Sequence, residues 1–112
     1  MNFHRIVAVY IDNEDGQPNP DYKITLLLPL SSTNDLIDGQ WSGNLFEKNF
    51  NYPFLLNVSG LQVKVDYGWE VEGALINISK EKIKVGGYFS VTSLPESKED
   101  CSVYQITSIH KY

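Results

Sequence analysis

From Leu61 to Glu72 the chain alternates without a break. Leu61, Val63, Val65, Tyr67, Trp69 and Val71 fall on one parity, and Gln62, Lys64, Asp66, Gly68, Glu70 and Glu72 on the other. A period of two marks an extended strand, whose successive side chains point to opposite faces, one toward a core and one toward water. At ~3.3 Å per residue such a strand would reach about 40 Å, too long for a small domain unless it bends. Gly68 is the expected bend or bulge.

The same pattern organises the rest of the chain. Phe3 to Ile11 predicts a first strand with two largely apolar faces, Phe3, Arg5, Val7, Val9 and Ile11 opposing His4, Ile6, Ala8 and Tyr10. It runs into the turn formers Asp12, Asn13, Glu14, Asp15 and Gly16, then Pro18 and Pro20. Tyr22 to Leu30 predicts a second strand with Ile24, Leu26, Leu28 and Leu30 on one face; Pro29 marks a place where pairing stops or bulges. Between Ser31 and Pro53 the alternation weakens, and only Gln40 to Phe46 suggests a short strand. A structureless connection of that length is unusual in a compact domain, so it holds a hidden short element or a functional loop. Further strands are predicted at Phe54 to Val58, Ala74 to Ile78, Ile83 to Val85, Tyr88 to Leu94 and Val103 to His110. Turns are expected at Gly60, Gly73, Ser79 to Lys82, Gly86-Gly87 and Pro95 to Asp100. The expected fold is all-β, a small antiparallel Greek-key β-barrel of about six to eight strands with little or no helix, forming one domain over residues 1–112.

Ile83, Gly86, Tyr88-Phe89 and Val91, followed by an acidic turn and the closing run Val103 to Ile109, resemble the end of the third, C-terminal β-barrel domain of elongation factor Tu. Val7 to Ile11, the turn Asp12 to Gly16 and the strand Tyr22 to Leu30 are similar to that domain's start. The resemblance implies a six-stranded Greek-key barrel. It does not carry a function across, because the phosphate loop Gly-x-x-x-x-Gly-Lys-Ser/Thr is absent and an acidic chain is poorly suited to tRNA.

Charge narrows the partners. A formal net charge of −5 over 112 residues repels phosphate backbones and anionic membranes and favours basic partners. The lone Cys101 has no internal disulfide partner, and no secretion signal opens the chain, so a cytoplasmic location is expected. The apolar run Leu26 to Leu30 is far short of the ~20 residues of a membrane-spanning helix.

No catalytic residue, metal ligand or cofactor is expected. His4 and His110 lie on the two terminal strands, but two histidines without further ligands make a poor zinc site. Cys101 follows Glu99 and Asp100, which oppose thiolate formation. Asp12, Glu14, Asp15 and Asp21 surround one turn without the spacing of a helix-loop-helix calcium loop. Asp66, Glu70 and Glu72 share one strand face and are read as solvated. The sequons Asn57-Val58-Ser59 and Asn77-Ile78-Ser79 are read as chance.

Aromatic residues carry the functional expectation. Trp41, Phe46, Phe50, Tyr52 and Phe54 crowd into the weakly patterned segment. Either they pack back on the barrel, or they stand exposed and form an interface with nearby acids. The candidate partner-binding set is Trp41, Phe46, Phe50 and Tyr52 with Asp35, Asp38 and Glu47, the aromatics supplying burial and the carboxylates steering a basic protein. The expected function is a non-enzymatic protein-binding module, in concrete form an immunity or antitoxin-type protein neutralising a basic partner such as a toxin nuclease. One alternative is a small-molecule-binding or enzymatic barrel with an open end lined by Tyr67, Trp69, Tyr88 and Tyr104. Another is a structural accessory subunit, monomeric or weakly self-associating through an unprotected strand edge.

Overall fold

In the computed structural model residues 2–68, 73–94 and 101–112 are described. The strands are β1 (Asn2–Ile11), β2 (Pro18–Leu30), β3 (Gly39–Glu47), β4 (Phe50–Ser59), β5 (Gln62–Asp66), β6 (Ala74–Ile76), β7 (Tyr88–Ser93) and β8 (Cys101–Lys111). Each pairs antiparallel with its neighbours in chain order, and β8 closes on β1 to complete the barrel. The closed antiparallel barrel expected from the alternation is therefore present, with eight strands. Its connections are hairpins in series, where a Greek key was expected. Two of the links leave no room for a longer path: Lys48-Asn49 joins β3 to β4, and Gly60-Leu61 joins β4 to β5. Lys48 (φ 53°) and Gly60 (φ 60°) take the left-handed conformation that so short a hairpin needs.

β3 is the strand that alternation barely revealed. Its inward position 43 is a glycine paired directly with Phe54 of β4, and a Cβ at Gly43 would overlap the Phe54 ring. One aromatic thus fills the space of two side chains, which erases the apolar signal on β3. In β2, pairing with β3 ends at Leu27↔Ser42, just before Pro29, while pairing with β1 continues to Leu30. The expected bend at Gly68 is present: its N–H donates to Asp66 Oδ1 at 2.8 Å, and its φ of 83° turns the chain after β5. Trp69 to Glu72 and the turn at Pro95 to Asp100 lie outside the described residues.

The strand expected at Ile83 to Val85 does not form. That stretch follows a single 3-10 turn at Lys80–Lys82, and the chain is then tied to β8 by Gly86 N–H to Ile106 O and Ile106 N–H to Gly87 O, both 2.8 Å. Ile78 is buried and Ile83 packs on the core, so these apolar residues plug a barrel end instead of pairing in the wall.

Inside, Ile6, Ala8, Ile24, Leu26, Leu28, Leu56, Val63, Val65, Ala74, Ile76, Phe89 and Ile106 are buried together. A barrel of this strand number is just wide enough for side chains to fill it. A bulge at Thr107 keeps both Ile106 and Ile109 turned toward the core, and the Thr107 hydroxyl donates to Val7 O at 3.3 Å. The barrel has two unlike ends. Residues 31–38, 60–61 and 77–87 form the lower end; residues 12–17 and 48–49 and the β5–β6 and β7–β8 connections leave from the upper end.

Candidate functional site

The upper end is built by continuing each strand's inward parity past the apolar core. On β1, Ile6 and Ala8 are followed by Tyr10; on β2, Ile24 is preceded by Tyr22; on β3, Leu45 is followed by Glu47. Val65 leads to Tyr67 just beyond β5, and Ile106 is preceded by Tyr104 on β8. Register brings them together, since Tyr10 pairs with Tyr104 and Tyr22 with Glu47. The Tyr10 ring lies 5.9 Å from Tyr22 at 69° and 5.9 Å from Tyr104 at 60°. Phe89 stacks on Tyr104 at 5.9 Å, and Phe54 meets Tyr67 edge-on at 6.0 Å. The strands thus change from aliphatic to phenolic as they reach this mouth.

Glu47 sits half-buried among these phenols and, among the described residues, has neither a hydrogen bond nor an ion pair. Its charge is felt on two separate parts of the wall. Burial, and then Glu47, Tyr67 and Tyr10, push the Tyr104 phenol far above its ordinary value. Burial followed by Glu47 raises Tyr67. Both rings therefore stay neutral across the physiological range. Around the same end lie Asp12, Glu14, Asp15, Asp21 and Asp66, against Lys23 and Lys48 among the described residues. The lower end is balanced differently, with Lys80, Lys82, Lys84 and Lys111 beside Asp35, Asp38 and Glu81.

The seven residues expected to form one interface are divided between the two ends. Glu47, Phe50 and Tyr52 belong to the upper end, where Phe50 is 65% exposed and stacks on Tyr52 at 6.4 Å. Phe46 alternates with Leu45 and lies on the outer wall, partly buried. Trp41 lies near the start of β3, about 20 Å along the strand from Glu47 at ~3.3 Å per residue. It is not an exposed anchor. Its ring packs on the core and edge-on against Phe3 at 5.8 Å, and its indole N–H donates to Ile37 O at 2.8 Å. Asp35 accepts from the Thr33 hydroxyl at 2.5 Å and lies 3.8 Å from the Lys80 ammonium. The Thr33 bond, assisted by Lys80, holds the Asp35 carboxyl below its ordinary range. Asp38 accepts from Gly60 N–H at 2.9 Å, clamping residues 31–38 to the β4–β5 turn. These two acids are braces.

Of the aromatics expected at an open end, Tyr67 and Tyr104 do meet there. Tyr88 is 53% exposed and stands at the lower end of β7, and Trp69 lies outside the described residues. Tyr10 and Tyr22 are the members that sequence reasoning missed, although each sits on the apolar parity of its own strand. Elsewhere, polar groups serve local structure. Asp12 and Asp15 accept from Glu14 N–H and Gln17 N–H, both at 2.8 Å, within their own turn. His4 is buried with Nδ1 2.9 Å from Asn2 O, and His110 is exposed on the opposite face of the wall. The sequon asparagines bond to Gln40 at 2.8 Å and to Ser90 N–H at 2.6 Å.

Comparison with protein-family models, with curated proteins and with solved structures finds no match. Among the described residues, no helix is long and apolar enough to cross a membrane.

Proposed function

We propose that the protein is a non-enzymatic binding module that presents its upper end to a basic protein partner. The observation that carries this reading is Glu47, a half-buried carboxylate surrounded by phenols and without a partner of its own among the described residues. Partly desolvated charge is unfavourable until it is paired, so the mouth favours a cation supplied from outside. The surrounding acids add long-range attraction, and the exposed Phe50 beside Tyr52 adds apolar contact area at the rim. A small-molecule or enzymatic reading has less support, because apolar side chains occupy the barrel axis. In its concrete form the partner is a basic toxin, such as a nuclease, masked in the cytoplasm by an immunity or antitoxin-type protein.

Titrating labelled protein with a mixed lysine and arginine peptide tests the surface. Amide shifts are expected at Tyr10, Tyr22, Glu47 and Tyr67, weakening as salt rises. Shifts centred on Lys80 to Lys84, or none at all, would remove the proposal. For the toxin form, co-expression should protect cells from the cognate basic toxin, and Glu47→Gln should reduce that protection.

A further inference from the structure

We infer that the upper mouth is a receptor for one arginine side chain of the partner, its guanidinium seated against Glu47 between the phenol rings. This deepens the binding-module reading and rests on it. Three features select the guanidinium.

The first is the balance of charge. Among the described residues Glu47 is the acid on the inward parity; it pairs with Tyr22, whose ring meets Tyr10, which in turn meets Tyr104, so the carboxylate belongs to the phenol-lined end. Lys23 pairs with Phe46 on the outer wall, and Lys48 is exposed in the β3–β4 turn; neither forms an ion pair with Glu47. One carboxylate calls for one positive charge.

The second is the shape of the rings. Tyr104 is 6% exposed with Phe89 stacked on its ring, so it closes the floor; Tyr10 and Tyr22, both half-buried, stand at 69° to each other, and their faces look in different directions at the rim. A cation over such faces is attracted by the ring quadrupoles, most strongly where water is excluded. A planar guanidinium can stack on one ring while its edge meets another.

The third is the supply of acceptors. Tyr104 remains protonated, so its oxygen is a neutral acceptor beside the two carboxylate oxygens. A guanidinium offers five donors in a fixed fork, is weakly hydrated and can pair with a carboxylate through two bonds. A lysine ammonium offers three donors and holds its water more tightly, and a quaternary ammonium has no donors for the phenol oxygens. The acids of the rim, Asp12, Asp15, Asp21 and Asp66, favour an arginine set among other basic residues over a free small molecule.

Three probes separate the outcomes by the shifts of aromatic ring protons: a blocked pentapeptide with one arginine flanked by lysines, the same peptide with lysine at its centre, and a blocked single arginine. The arginine peptide is expected to bind about tenfold more tightly than the all-lysine peptide, with the largest shifts on Tyr10 and Tyr22. Glu47→Gln should weaken it by about tenfold while far-ultraviolet circular dichroism and thermal unfolding stay at wild-type values. Tyr104→Phe should weaken it by a few fold, through loss of one acceptor. If the two peptides bind equally well at this end and both depend on Glu47, the arginine inference falls while the basic-partner reading stands. If neither shifts this end, both fall. Blocked arginine binding as tightly as the peptide would make the mouth a small-molecule receptor and overturn the inference.

Discussion

The two ends of this barrel use the same kinds of residue to opposite effect. At the lower end, Asp35 and Asp38 lie near Trp41, and every one of these polar groups is engaged: Thr33 and Lys80 on Asp35, Gly60 N–H on Asp38, Ile37 O under the indole. Leu36, Ile78 and Ile83 pack on the core beneath them. At the upper end, Glu47 stands among Tyr10, Tyr22, Tyr67 and Tyr104 with its hydrogen-bonding capacity unspent on the described residues. An acid beside an aromatic is therefore no mark of a site by itself. What distinguishes a site from a brace is whether the fold already satisfies the charge.

Substitutions should separate the ends, stability falling with the lower one and binding with the upper. The largest loss is expected from Trp41→Ala, about 3 kcal/mol of unfolding free energy, because a core-packed indole and its bond to Ile37 O are both removed. Denaturant melts measure it, and the arginine peptide should still bind the folded fraction with wild-type affinity. A lost affinity at unchanged stability would place Trp41 in the interface and undo the contrast.

Alkaline pH probes the upper end next. In the unfolded chain Tyr104 loses its proton near pH ~10, whereas the folded phenol holds it to higher pH because burial and Glu47 oppose the anion. The folded state then binds more protons, so stability falls as pH rises above ~10, by roughly 1.4 kcal/mol per pH unit. Below that range the effect is fully absent. Tyr104→Phe should flatten the alkaline limb of the stability profile; an unchanged limb would mean that Tyr104 is not the desolvated phenol.

Most of the fold was legible because alternation is a direct record of one wet and one dry face. It was clear in β1, β2, β5 and β8, where inward positions are aliphatic. It failed where one residue answers for two, as Phe54 does for Gly43, and where apolar residues plug an end, as Ile78 and Ile83 do. Connectivity was harder, since the alternation of a strand says nothing about which neighbour it pairs with. The candidate site was half legible. Glu47, Phe50, Tyr52, Tyr67 and Tyr104 were named from their types, but their grouping depends on register, which puts Tyr22 opposite Glu47 and Tyr10 opposite Tyr104. Of the two readings open for Trp41, exposed or packed back on the barrel, proximity along the chain to Asp35 and Asp38 suggested the first, and the half-buried indole packs on the core.

Two carboxylate substitutions bring the contrast down to single groups. Asp38→Ala should cost about 1 kcal/mol, the net worth of the Gly60 bond that clamps two turns together. Glu47→Gln should leave stability unchanged in a chemical or thermal melt, because the amide has the same shape and no hydrogen bond or ion pair among the described residues is lost. The two variants each remove one negative charge, so a general change in self-repulsion cancels between them. What remains is the local difference between a carboxylate that the fold uses and one that it leaves facing outward. Should Glu47→Gln destabilise the barrel as much as Asp38→Ala, Glu47 would be a brace as well, and the upper end would lose its claim to be the surface that awaits a partner.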